Sequence, residues 1–136
     1  MDRRDFHVTI KGLFFDERGR VLLVREPAGA WDLPGGRLEH GETFHAALKR
    51  ECREEMALEC EILDPAPHWA WSARDRDGLW KVVLCFRIRL ESLAFTASDE
   101  CVALDFFDAS SFDTGLVVPQ TRPLLGYLRG LSASSL

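Results

Sequence analysis

The sequence predicts an α+β fold, a mixed β-sheet flanked by helices, from three observations. Stretches such as "RVLLVRE" and "WKVVLCFRIRL" are rich in β-branched and aromatic residues, a segment of helical period lies between them, and no repeat or linker divides the chain. At 136 residues the chain is long enough to bury about two-thirds of its unfolded surface, so it needs no staple to build a core. The expected organisation is a single domain over residues 1–131 and a short C-terminal tail at 132–136.

The elements follow in order. "FHVTIKGLFF" and "RVLLVRE", either side of the turn signal "DERG", predict a β-hairpin. Residues 27–42, "PAGAWDLPGGRLEHGE", hold two prolines and four glycines and predict a long loop, of the kind that tends to carry function. Thr43 is the expected N-cap of a helix over "FHAALKRECREEM", although Ala46 supplies no capping box, and that helix should end near Met56. "HWAWSARDRDGLWKVVLCFRIRL" predicts two strands about an "RDG" turn, "CVALDFF" a further strand, and "PQTRPLLGYLRG" a short closing helix.

Composition narrows the function. A net charge of −5 argues against general nucleic-acid binding, which depends on clustered Lys and Arg neutralising phosphates. Cys52, Cys60, Cys85 and Cys101 show no CxxC pair and no matching histidines, so they read as reduced, core-packed thiols of a cytoplasmic protein rather than a zinc site. The start "MDRRDF" has no apolar leader region, and no run approaches the roughly 18 apolar residues of a membrane span, so no membrane partner is expected.

The helix "FHAALKRECREEM" crowds Glu51, Glu54 and Glu55 into an arc of roughly 100°, continuous with Phe44, Ala47 and Leu48 one turn earlier. A solvated charged face is the alternative, but such a face alternates sign, and neither Glu51 nor Glu55 has a basic partner three or four residues away. Only Glu54 has one, in Arg50. Each like-charge pair at this spacing costs about 0.2–0.5 kcal/mol, a cost that a divalent cation would reverse. Hard carboxylate oxygens with no His or Cys among them favour Mg2+, with Mn2+ as a substitute, over zinc.

With the preceding loop, residues 36–58 read "GRLEHGETFHAALKRECREEMAL", which resembles the signature of the Nudix hydrolase family. Gly36, Glu42, Arg50, Glu51, Glu54, Glu55 and Leu58 fall on the motif at its spacing, and "WDLPGG" resembles the usual approach to it. Two positions depart. Cys52 stands for an aliphatic residue, a mild change for a buried thiol, and Ala57 stands for a glycine that follows the helix, where a left-handed backbone costs a residue with a Cβ about 1–2 kcal/mol. The resemblance implies a Nudix-type α/β/α sandwich with a mixed curved sheet between helices.

It also implies a reaction: metal-dependent cleavage of the pyrophosphate bridge of a nucleoside diphosphate linked to another moiety, such as a nucleoside triphosphate, a nucleotide sugar or ADP-ribose. By match to the motif, Glu51, Glu54, Glu55 and the Gly36 carbonyl hold metal, Glu51 is the candidate base, Arg50 orients the carboxylates, and Glu42 braces Arg50 or binds metal through water. Glu100 stands where some family members carry an extra metal-binding or basic carboxylate. Trp69 and Trp71 alternate onto one strand face and could stack a nucleobase or pack in the core; Arg25, Arg74, Arg76 and Lys81 are candidate phosphate contacts, and His68 is expected at the surface. Markers of the ADP-ribose, dinucleoside polyphosphate, coenzyme A and NADH subfamilies are missing, with Ala73 and Arg74 where the ADP-ribose proline would stand. An inactive nucleotide sensor and an RNA-end pyrophosphohydrolase are the competing functions, and the resemblance leaves a homodimer open.

Overall fold

The computed structural model describes residues 4–134. Strands β1 (Phe6–Leu13), β2 (Val21–Arg25), β3 (Trp31–Asp32) and β4 (Gly35–Arg37) precede helix α1 (Phe44–Met56). β5 (Cys60–Ile62), β6 (Trp69–Arg74), β7 (Trp80–Leu90) and β8 (Ala103–Phe107) follow, then two short 3-10 turns at Thr114–Leu116 and Pro119–Thr121 and helix α2 (Arg122–Ser134). α2 thus runs into the segment expected as a tail, whose last two residues, 135–136, lie outside the described residues.

The larger sheet has the order β4-β1-β7-β5, with β6 also on β7, and mixes a parallel β1–β7 pair with antiparallel neighbours. β3-β2-β8 form a second, antiparallel sheet. The predicted "DERG" turn is present, with Asp16 N–H donating to Arg20 O and Phe15 bridging Val21, but the expected hairpin is not. The chain crosses at Phe14 and Phe15 from one sheet to the other, so β1 pairs with β7 and β4 while β2 pairs with β3 and β8. Local turn chemistry decides the reversal, and tertiary pairing decides the strand's partner.

Strand alternation then sorts the core onto two sides of the sheets. Ile10, Phe86 and Ile88 of the larger sheet and Leu22 and Val24 of the smaller pack against Ala47, Leu48, Cys52 and Met56 of α1. Leu13, Val83, Cys85 and Trp71, with Val21 and Leu23, pack against Leu124, Leu125 and Leu128 of α2. The result is the α/β/α sandwich the motif implies, with all four cysteines free and buried in it. No helix of the described residues is long and apolar enough to cross a membrane.

Candidate active site

α1 is set at both ends by its own sequence. The Thr43 side chain accepts from Ala46 N–H at the start, as expected. At the other end Ala57 adopts the left-handed conformation, φ 56°, and its N–H donates to Arg53 O at 2.9 Å. The helix therefore ends in the left-handed conformation despite the Cβ, and Ala57 is the one non-glycine residue with positive φ among the described residues. The buried stripe of α1 is Ala47, Leu48, Glu51, Cys52, Glu55 and Met56, so two carboxylates occupy positions that the sandwich makes core. Phe44, placed on the same stripe by periodicity, is 40% exposed.

Those carboxylates face the 32–37 segment, all of which the sequence placed in a loop and which carries the end of β3 and the whole of β4. Gly36 is glycine because a Cβ would come within 2.6 Å of the Glu51 carboxyl carbon. The register of β4 on β1 decides which carbonyl turns toward the acids. Leu38 N–H donates to Val8 O and Gly12 N–H to Pro34 O, so Ile10 and Gly36 are the hydrogen-bonded pair between them and the Gly36 carbonyl is directed at Ile10. Gly35, at φ 126°, turns its backbone the other way: its N–H donates to Glu55 Oε1 at 2.7 Å and its carbonyl accepts from Lys11 Nζ at 2.9 Å. The Gly36 carbonyl expected beside the carboxylates is therefore turned into the β-ladder, and the Gly35 backbone is the one turned to the Lys11 and Glu55 side.

Arg50 uses all five of its donors on the site. Nε and Nη2 grip Glu42 at 2.6 and 3.0 Å, Nη1 donates to Glu51 at 2.9 Å and Glu54 at 3.1 Å, and Nη2 also donates to Arg37 O at 3.1 Å. It therefore has no donor left for a ligand and works by placing carboxylates, and Glu51 does have a basic partner, its neighbour in sequence. Glu42 is gripped by Arg50, whose hydrogen bonds hold its carboxyl below the usual range. Glu100 is delivered by Ser98, whose hydroxyl donates to Glu55 O at 2.8 Å and accepts from Glu100 N–H at 3.2 Å. Oxygens of Glu51, Glu54 and Glu100 come within 4.8 Å of one another, a donor set of hard oxygens that fits Mg2+ or Mn2+. Glu55 lies beneath them, where burial pushes its pKa up to about 8, and burial also raises Glu51.

The acids open on a cleft of about 590 Å³ whose lining includes Lys11, Arg37, Glu26 and Asp32 besides Glu51, Glu55 and Glu100. Trp69 and Trp71 do not reach it. They pack 5.9 and 5.8 Å from the Tyr127 ring of α2, Trp71 Nε1 donates to Gln120 O, and Trp71 is buried in the core cluster with Trp69 partly buried against it. Arg25 alternates away from cleft-lining Val24 and lies 5.9 Å from the Trp31 ring. Arg74 lies over Trp80, Lys81 pairs with Asp75, and His68 stacks near Trp69; Arg76 reaches the cleft rim through Glu26 at 3.3 Å. Sequence reasoning passed over Lys11, Asp32, Arg37 and Ser98. A lysine inside the apolar run "VTIKGLFF" was the signal for the first; the others carried none.

Comparison with known proteins gives the family. The 8-oxo-dGDP phosphatase of Homo sapiens is 38% identical over 82 residues, 57% of this chain and 24% of that protein, so the chain spans about a quarter of that relative. The 8-oxo-dGTP diphosphatase of Proteus vulgaris is 34% identical over 76 residues, 50% of this chain and 67% of that one. The solution structure of the E. coli ORF135 protein superposes with a TM-score of 0.75 at 22% identity, covering 96% of this chain and 93% of that one, a likeness of fold. The family model described as NUDIX domain matches residues 5–125, and by that match, over most of its length, the chain belongs to the Nudix family.

Proposed function

We propose that the chain is a Mg2+-dependent hydrolase of a nucleoside diphosphate derivative, with oxidised purine nucleotides such as 8-oxo-dGTP and 8-oxo-dGDP as the first substrates to try. The observation that carries the reading is the convergence of Glu51, Glu54 and Glu100 oxygens within 4.8 Å, with Glu51 and Glu100 on the wall of the cleft. The activities printed for the human and Proteus relatives supply the substrate class. Glu51, Glu54, Glu55 and Glu100, with the Gly35 carbonyl, are the groups to hold the metal; Mn2+ suits the same oxygens. Bound there, a divalent ion supplies neutralisation of the diphosphate and a more acidic water.

The chain's own residues do the rest. The cleft lining carries five carboxylates, Glu26, Asp32, Glu51, Glu55 and Glu100, against two cations, Lys11 and Arg37, so a polyphosphate enters only with compensating positive charge. Arg37 is the lining cation on the exposed side and is placed to meet a phosphate oxygen. Glu51, steadied by Arg50, accepts the proton of the attacking water as the new P–O bond forms and the bridging P–O bond breaks. A single domain over residues 1–131 of this chain holds every group named.

The test is phosphate release through a coupled phosphatase from a panel of 8-oxo and ordinary nucleoside di- and triphosphates, nucleotide sugars, ADP-ribose and dinucleoside polyphosphates. Turnover of one class with Mg2+ or Mn2+ and none with EDTA is expected. Turnover that survives EDTA, or none of any substrate with either ion, would overturn the reading.

A further inference from the structure

Lys11 lies on β1 with 6% of its surface exposed, and the proposed chemistry leaves it unexplained. Its ammonium has three protons and three acceptors: Asp32 Oδ2 at 3.0 Å, Leu33 O at 3.1 Å and Gly35 O at 2.9 Å. With every donor used, it has none for a phosphate. It spans the junction of the two sheets instead, from β1 in the larger to β3 in the smaller. On the far side the other Asp32 oxygen accepts from Thr121 Oγ1 at 2.6 Å and Leu33 N–H at 2.7 Å. On the near side Gly35 N–H reaches Glu55 at 2.7 Å. A continuous path of hydrogen bonds thus runs from the turn before α2 through Asp32, Lys11 and Gly35 to a carboxylate of α1.

Stability alone does not call for such a device. Taking a lysine and an aspartate out of water costs several kcal/mol per ion, and apolar replacements of buried pairs are often equally stable. What an apolar pair would not do is hold the Leu33 and Gly35 carbonyls, either side of Pro34, at fixed points while leaving the Gly35 N–H aimed at Glu55. We infer that Lys11 is a positioning residue for the hydrolysis proposed above: clamped by Asp32 across the sheet junction, it fixes the Gly35 carbonyl and the 32–35 segment against which the metal-binding carboxylates are arranged. The inference rests on that functional reading.

The test compares wild type with Lys11→Met/Asp32→Asn, a neutral pair that keeps an acceptor for Thr121 and Leu33 N–H. Assays run well below each protein's thermal midpoint. Free Mn2+ is followed by EPR, and kcat and KM are measured on the best substrate of the panel. The expected result is a kcat lowered about 100-fold, the scale of a misplacement near 1 Å, with KM within about threefold. Half-saturating Mn2+ should rise about tenfold, the scale for loss of an outer partner of a metal site. Mn2+ half-saturation and kcat both within about threefold of wild type would overturn the inference. If wild type binds Mn2+ but hydrolyses nothing, the hydrolase reading fails while the Mn2+ comparison still decides Lys11. If the double variant does not unfold cooperatively, NMR of the wild-type Lys11 ammonium during Mg2+ titration decides. Its signal should move together with the Gly35 amide, and a Lys11 signal that stays fixed while the Glu55 carboxyl carbon moves would overturn the inference.

Discussion

Glu51, Glu54 and Glu55 leave one helix for three environments, and the differences decide what each substitution does. Glu54 is about half exposed and already paired with Arg50 at 3.1 Å, so neutralising it relieves little repulsion. The relief that charge crowding suggests belongs to Glu55, 6% exposed with its carboxyl pushed up to about 8 by burial. Glu54→Gln should therefore lower kcat by roughly 10²–10³, the usual cost of removing one preorganised electrostatic group, and leave the metal-free thermal midpoint within about 2 °C. Rates near wild type at saturating Mg2+ would remove Glu54 from the metal set. Arg50 behaves differently again, because five donors on five acceptors make it a scaffold, and a lysine there offers three protons as a point charge in place of the fork.

At the scale of elements, the ends of α1 were legible because the Thr43 cap and the Ala57 stop are local facts, and its stripe was legible except at Phe44 and Glu54, whose exposure depends on what packs beside them. The β1–β2 hairpin was not, since its sequence specifies a reversal but the partners of both strands come from residues 31–37, 80–87 and 103–107. The Gly35 role was illegible for the same reason, because which backbone group turns toward Lys11 and Glu55 depends on a ladder register; Lys11 left a signal, a lysine in an apolar run, but not its partners. The left-handed Ala57 gives a prediction. Ala57→Gly removes about 1–2 kcal/mol of strain and returns about 0.4–1 through the freer unfolded chain, a net gain of about 0.5–1 kcal/mol. The urea midpoint should rise with the slope unchanged; a lower midpoint would mean the methyl group makes a contact worth more than the strain. β6 gives another. Trp71→Phe keeps the ring against Tyr127 and loses the 2.7 Å bond to Gln120 O, so it should cost about 0.5–1.5 kcal/mol and leave KM alone. A tenfold rise in KM at unchanged stability would return Trp71 to the substrate site.

The whole molecule carries a net charge of −5 and concentrates carboxylates where two sheets and a helix meet, so its stability should depend on pH and metal together. Two groups of acids act with opposite sign. Asp16, Glu42, Glu59, Asp64 and Asp108 are held below their ordinary values in the fold, chiefly by hydrogen bonds from their partners, so their contribution is present at neutral pH and lost as the solution is acidified through those lowered values. Glu55 and Glu51 are raised by burial, so the folded state holds a proton that the unfolded chain has released. Their contribution is complete below about pH 4.5 and is lost as pH rises toward 8 for Glu55, on the order of a few kcal/mol. In EDTA the thermal midpoint should therefore climb out of the acid range, pass a maximum and fall between about pH 5.5 and 8.5. A metal ion binds the ionised form, so Mg2+ should cancel that fall, with a stabilising shift that grows with pH and reaches about 2.7 kcal/mol at a hundredfold excess over its dissociation constant. Differential scanning calorimetry at several pH values, with EDTA and with Mg2+, reads both slopes. A flat metal-free profile above pH 5.5 would show that Glu55 ionises in the fold as easily as in the open chain. A Mg2+ shift independent of pH would place the ion away from the buried pair.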